Sequence, residues 1–235
     1  MRTSAKLAVS LLLTACSSTG EPAAAPDTHA RDSEASGEGR ATDTKRQQNV
    51  NSGPATRDPV DVPIDAAALE AAGGVAYFAG GCFWGVEHYM SQLPGVLRVE
   101  SGYMGGSVED PSYEDVLSHE SGHLETVRVY FDPQVVGYRE VAKRFFEIHD
   151  PTQANGQGPD IGPQYLSAIF VTDETQRAAV EELISLLEAR DYDVVTTIEP
   201  AGEFWPAEDY HQNYYVEKGS QPYCHTWTDR FGDGR

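Results

Sequence analysis

The sequence predicts an α+β domain, a ferredoxin-like β-α-β-β-α-β two-layer sandwich with additions. Three observations lead there. Short apolar or alternating runs that suit strands take turns with segments of helical periodicity. Gly and Pro clusters separate these segments at short intervals. The stretch carrying the pattern, residues 71–235, has a length that one hydrophobic core can serve.

Each element can be justified in order. Residues 75–79 (VAYFA) are wholly apolar and read as a buried strand, broken by Gly80-Gly81. Residues 83–92 have helical spacing and stop before Pro94-Gly95. Residues 96–103 read as a strand, 104–112 as a Gly-rich loop, and 113–118 as a short helix. Residues 125–131 alternate, with Glu125, Val127, Val129 and Phe131 on one face, and Asp132-Pro133 ends the run. An amphipathic helix is predicted over 138–149, turning Val141, Phe145, Phe146 and Ile148 inward. Polar residues rich in Gly and Pro make 150–163 a loop. A strand over 165–171 and a helix over 173–190 follow, with Thr172 or Asp173 as N-cap. The last strand is predicted at 194–198, and 206–217 as partly helical.

The residues before this domain read differently. Residues 1–15 have Arg2 and Lys6, an apolar run, then small residues, which is the pattern of a secretory signal peptide. Leu13-Thr14-Ala15-Cys16 reads as a lipobox, so lipidation is expected at Cys16. Residues 16–70 hold no aromatic residue and are rich in small, polar and charged ones, the composition of a linker. The expected location is the bacterial cell envelope, lipid-anchored and facing the periplasm or the cell surface. A net charge of −20 argues against nucleic acid and against electrostatic binding to anionic lipid, leaving the lipid as sole membrane link.

Besides Cys16 the chain has Cys82 and Cys224. They fit either a structural disulfide or a nucleophile with its resolving partner. No paired CxxC elements occur, so no structural zinc site is expected. Cys82 follows a strand and opens a helix, where free N–H groups stabilise a thiolate, and Gly80 and Gly81 leave space above the sulfur. Cysteine is equally a common buried residue. Phe83 and Trp84 can pack in the core or wall a small apolar pocket. Glu125 shares a strand face with core residues; burial there would raise its pKa and suit a general acid, whereas at the strand edge it would be solvated. The hydroxyls of Tyr113 and Tyr165 can donate to a polar oxygen, or they can belong to core tyrosines. Asp160 lies five residues before Tyr165. His123, His149 and His211 lack metal-ligand spacing, and Gly102–Gly106 does not fit a phosphate or dinucleotide loop. From these residues alone a thiol hydrolase using Cys82, His211 and Asp209 or Asp160 stays open, as does a non-enzymatic lipoprotein with a Cys82–Cys224 staple.

Seven motifs in one order narrow the choice. They are GCFWG (81–85), GYMGG (102–106), PSYEDV (111–116), GHLETV (122–127), HDPT (149–152), GPDIGPQYLSAI (158–169) and FWPAEDYHQNYY (204–215). Together they resemble the A-type peptide-methionine sulfoxide reductases, which act on the S-epimer of the sulfoxide. The resemblance implies Cys82 as catalytic cysteine, Glu125 as acid, Tyr113 and Tyr165 as donors to the sulfoxide oxygen, and Asp160 as a further site residue. It implies Phe83 and Trp84 as the methyl pocket and Cys224 as resolving cysteine. A thioredoxin-like dithiol partner, no cofactor, no metal and a monomer are also implied. Met104 and Leu124 stand where the family more often has Ala, and Leu166 where it has Arg. The tail after Cys224 lacks the Gly-rich stretch with a second cysteine found in some members.

Overall fold

The computed structural model describes residues 63–234. The expected signal peptide, Cys16 and most of the expected linker lie outside them.

Helix α1 spans Ala66–Ala71. Strand β1 (Val75–Gly80) runs into helix α2 (Phe83–Met90), and β2 (Val96–Met104) follows. The short α3 (Tyr113–Leu117) precedes β3 (Leu124–Phe131) and α4 (Tyr138–Ile148). A two-residue ladder, β4 (Gly156–Gln157) with β5 (Asp160–Ile161), leads through a 3-10 turn at Pro163–Tyr165 into β6 (Ser167–Val171). The chain closes with α5 (Glu174–Glu188), β7 (Thr197–Pro200), β8 (Trp205–Pro206) and α6 (Tyr214–Lys218).

Six strands form one sheet in the order β7-β6-β1-β3-β2-β8. The inner four, β6-β1-β3-β2, are antiparallel throughout, with α2 between β1 and β2 and α4 between β3 and β6. That is the β-α-β-β-α-β arrangement the periodicity predicts. The additions are β7, parallel to β6 after α5, and β8 on the far edge, along with the small ladder, α1, α3 and α6.

Both sheet faces are covered, which explains why VAYFAG is apolar without alternation. Toward the helices, Phe78, Phe83, Val127, Val129, Phe131, Phe145 and Phe146 form the main core. On the other face Tyr77, Tyr130, Phe170 and Phe204 make a smaller cluster, with Ile64, Ala66 and Leu69 against it.

Three boundaries depart from the sequence reading. Helix α1 begins inside 16–70, the stretch assigned to the linker, and ends at Ala71. Asp65 caps it, accepting from the Ala68 N–H at 3.0 Å, and Leu69 packs on the sheet. A composition averaged over the whole linker hides that short run. The last strand lies at Thr197–Pro200 rather than 194–198, because Val195 N–H is bonded to the Pro151 carbonyl at 2.8 Å. Tyr165, expected to open a strand, instead closes a 3-10 turn over Pro163–Tyr165, and the strand starts at Ser167, with Pro163 pre-set for the first position of the turn. Among the described residues, no helix is long and apolar enough to cross a membrane.

The tail after Cys224 lies along α4. Arg230 donates to the Phe146 and His149 carbonyls, groups that a helix end leaves without partners. Lys143 of α4 pairs with Asp233 of the tail and with Glu147, and Trp227 Nε1 donates to Glu147 at 3.3 Å. This clamp fixes the position of Cys224.

Candidate active site

The site forms where β1 hands over to α2. Cys82 is the N-cap of α2 and is buried. Gly81 before it has φ +94, and a Cβ there would fall 2.3 Å from Gln157 Cβ. A Cβ on Gly80 would meet the Phe145 ring at 2.6 Å. The glycines thus admit a left-handed turn and close packing by Gln157 and Phe145, rather than open space above the sulfur. Gln157 ties the site together: Asp150 N–H donates to it, and it donates to the Cys224 carbonyl at 3.3 Å.

Cys82 and Cys224 are both free thiols, and their sulfurs lie with an Asp160 oxygen within 4.8 Å of one another. The neighbouring Cys224 thiol, with burial, holds the Cys82 pKa above that of an ordinary thiol. The Trp84 and Gly85 N–H groups act the other way and are outweighed. The thiolate expected at this helix start is therefore not the resting form; a helix N-terminus cannot offset burial beside a second thiol.

Glu125 sits on β3, facing the same turn, and is 2 % exposed. Phe83 N–H donates to its Oε2 at 3.0 Å. Burial pushes its pKa well above the carboxylate range, and the Phe83 bond opposes this only in part. The inward strand face, rather than solvent, is where this carboxyl lies. A protonated Glu125 can keep the Phe83 bond on Oε2 and carry its proton on Oε1.

Tyr113 opens α3 and Tyr165 closes the 3-10 turn, and both lie close to Glu125 and Cys82. Burial raises both pKa values, with Tyr113 pushed up to about 12. Both hydroxyls thus stay protonated and able to donate. Asp160, on β5, accepts from Tyr223 Oη at 2.9 Å, while its Oδ2 is buried with no protein partner.

Phe83 is buried in the main core, its ring 5.9 Å from that of Tyr103 and 5.1 Å from that of His211. Trp84 is only half-buried. It stacks on Tyr214 at 3.7 Å, and its Nε1 donates to His211 Nδ1 at 3.2 Å. The structure brings Cys82, Glu125, Tyr113, Tyr165, Asp160, Cys224, Phe83 and Trp84 to one locality. Cys16 lies outside the described residues.

Sequence reasoning missed the groups that hold this set in place. Glu208 accepts from Tyr103 Oη and from Tyr113 N–H, both at 3.0 Å. His211, considered for a hydrolase, is committed to Trp84, and burial lowers its pKa. Only the density of polar residues in FWPAEDYHQNYY hinted at them. A cavity of about 180 Å³ lies beside Cys224, lined among others by His149, Gln157, Tyr223 and Arg230.

Known proteins share this arrangement of sequence and fold. The family model for peptide methionine sulfoxide reductase matches residues 74–233. A peptide methionine sulfoxide reductase MsrA of Chromobacterium violaceum is 49% identical over 152 residues, covering 63% of this chain and 86% of that one. That of Methanothermobacter thermautotrophicus is 51% identical over 154 residues, covering 64% and 90%. Among solved structures, reduced Mxr1 from Saccharomyces cerevisiae superposes with a TM-score of 0.62 at 30% identity, covering 66% of this chain and 92% of that one. Methionine sulfoxide reductase A of Corynebacterium diphtheriae gives 0.57 at 33% identity, covering 64% and 78%. The chain therefore belongs to the peptide methionine sulfoxide reductase family and is a reductase of its A type.

Proposed function

We propose that this enzyme reduces the S-epimer of methionine sulfoxide, free or in proteins, through a sulfenic acid on Cys82. A sulfoxide oxygen leaves sulfur readily only when it is protonated or strongly hydrogen-bonded. The Tyr113 and Tyr165 hydroxyls hold the oxygen, and Glu125 supplies the proton. Trp84, with Phe83 behind it, bounds the space for the methyl group. Cys82 gives up its proton as its sulfur attacks the sulfoxide sulfur, so no net proton is consumed. The oxygen then passes from the methionine sulfur to Cys82: the sulfoxide S–O bond breaks, a Cys82 S–O bond forms, methionine leaves and Cys82 is a sulfenic acid. Cys224 then forms a disulfide with Cys82 and releases water. A thioredoxin-like dithiol reduces that disulfide, reaching Cys224 from the cavity beside it.

The observation that carries this reading is Glu125: a buried carboxyl held protonated, bonded to the residue after Cys82 and near Tyr113 and Tyr165. Glu125→Gln keeps an acceptor for Phe83 N–H but removes the acid. Methionine formation from the S-sulfoxide in a single turnover should fall about 100-fold or more. An unchanged rate would contradict the assignment.

The lipobox at Cys16 and the polar segment after it support a place for the domain on the bacterial envelope, where its substrates are oxidised envelope proteins. Expressed in a bacterium, the chain should fractionate with membranes, and Cys16→Ser should release it to the soluble fraction. Equal partition of the two would remove the anchor.

A further inference from the structure

We infer that His225 is the base that takes the proton of Cys224 when this thiol resolves the Cys82 sulfenic acid. The inference rests on the proposed role of Cys224 and adds the residue that activates it.

The geometry fixes which ring nitrogen is free. His225 Nε2 lies 2.8 Å from the Gly80 carbonyl oxygen. A carbonyl only accepts, so Nε2 carries the ring proton. Nδ1 of the neutral ring is then an acceptor, and it lies 3.1 Å from Cys224 Sγ. The Cys224 S–H is the donor in that contact. Adjacent residues of an extended chain point to opposite sides, so this meeting depends on the turn the chain makes here.

The imidazole is also held in place from below. A Cβ on Gly85 would fall 2.2 Å from His225 Nδ1, so the ring packs directly on the bare backbone of the first turn of α2. That turn begins at Cys82. The glycine that closes the GCFWG motif is thereby the seat of the ring. His225 is 2 % exposed. Burial pulls its pKa down to about 4, against the Gly80 bond and the Asp160 charge, which favour the charged ring. Nδ1 is consequently unprotonated at neutral pH. The neighbouring His149 is likewise held neutral, so it contributes no competing charge.

The step balances without an outside oxidant. The Cys224 S–H bond breaks and its proton moves to His225 Nδ1. The Cys224 sulfur attacks Cys82 Sγ, the S–S bond forms and the Cys82 S–O bond breaks. The proton on Nδ1 joins the departing hydroxide, which leaves as water. Cys224 is oxidised as the sulfenic sulfur of Cys82 is reduced. The sulfurs, within 4.8 Å, have little distance to close.

The test uses the full chain in single turnover, with one equivalent of S-sulfoxide and no reductant. Methionine release and disulfide formation are followed in the same quenched samples, the second by alkylation and mass spectrometry. His225→Asn keeps an acceptor near Cys224 but no base. The ratio of the disulfide rate to the methionine rate should fall at least tenfold, and a dimedone adduct on Cys82 should accumulate. An unchanged ratio, with the disulfide still forming, overturns the role of His225 and leaves that of Cys224 standing. If the wild type itself forms no Cys82–Cys224 disulfide, the resolving role fails first and the inference falls with it. If the variant does not fold, the wild-type protein decides: nitrogen NMR of His225 should show protonated Nε2 and bare Nδ1, and a proton on Nδ1 would overturn the inference.

Discussion

At the scale of single residues, the site is a set of groups held in the protonation states that sulfoxide chemistry requires. Glu125 is the clearest case. Its acid form is favoured by burial, which outweighs the Phe83 N–H bond to the carboxylate. A raised folded pKa means the proton donor is present up to that pKa and lost above it. The single-turnover rate should therefore fall as pH rises through the Glu125 pKa, and Glu125→Gln should lack that limb. The residues themselves were largely legible in the sequence, because a thiol at a strand–helix junction and a carboxyl on an apolar strand face are both unusual. The protonation state of Cys82 was not legible. It depends on Cys224, which is distant in sequence and close in space. For the same reason nothing in the dipeptide Cys224-His225 announced that its two side chains meet.

At the scale of elements, periodicity located every core strand and helix, and it failed where tertiary contacts set the boundary. Val194 and Val195 have strand-like side chains, but a backbone bond to the loop at Pro151 moves the strand on to Thr197. Helix α1 was hidden by its linker-like surroundings, and only the Asp65 cap marks it. Helix α2 shows a local conflict that no periodicity reveals. Its Glu87 is 3 % exposed and accepts from Asn213 N–H at 3.1 Å. Burial raises its pKa to about 7. An unfolded Glu titrates near ~4.3, so the folded state binds the proton more tightly. The stability from that proton is complete below ~4.3 and is lost as pH rises through about 7. Glu87→Gln keeps an acceptor for Asn213 and removes the charge. Thermal melts should show the variant close to wild type at pH 4 and more stable at pH 8 by roughly 3–4 kcal/mol, several degrees in Tm. The same difference at both pH values would contradict a buried, titrating Glu87.

At the scale of the whole molecule, the fold brings together residues from both ends of the domain. Cys82 follows the first strand, Glu125 lies on the third, and Asp160 is in the small ladder before the fourth core strand. Cys224 arrives on a tail clamped to α4 through Lys143, Glu147 and Arg230. The ferredoxin-like order was legible because it follows from the succession of elements. The clamp was not, since HTWTDRFGDGR has no periodicity and its anchors are buried charges on α4. The family resemblance implies Cys224 as the resolving cysteine, and the structure places its sulfur beside that of Cys82. The central claim is that the sulfoxide oxygen passes to Cys82 and that Cys224 then closes a disulfide. Counting free thiols on the domain after one equivalent of the S-sulfoxide without reductant tests it most directly. The account predicts one methionine formed and two thiols lost, with Cys82 and Cys224 joined in the peptide map. Methionine formed with a single thiol lost and a lasting sulfenic acid on Cys82, or no turnover of the S-epimer, would contradict it.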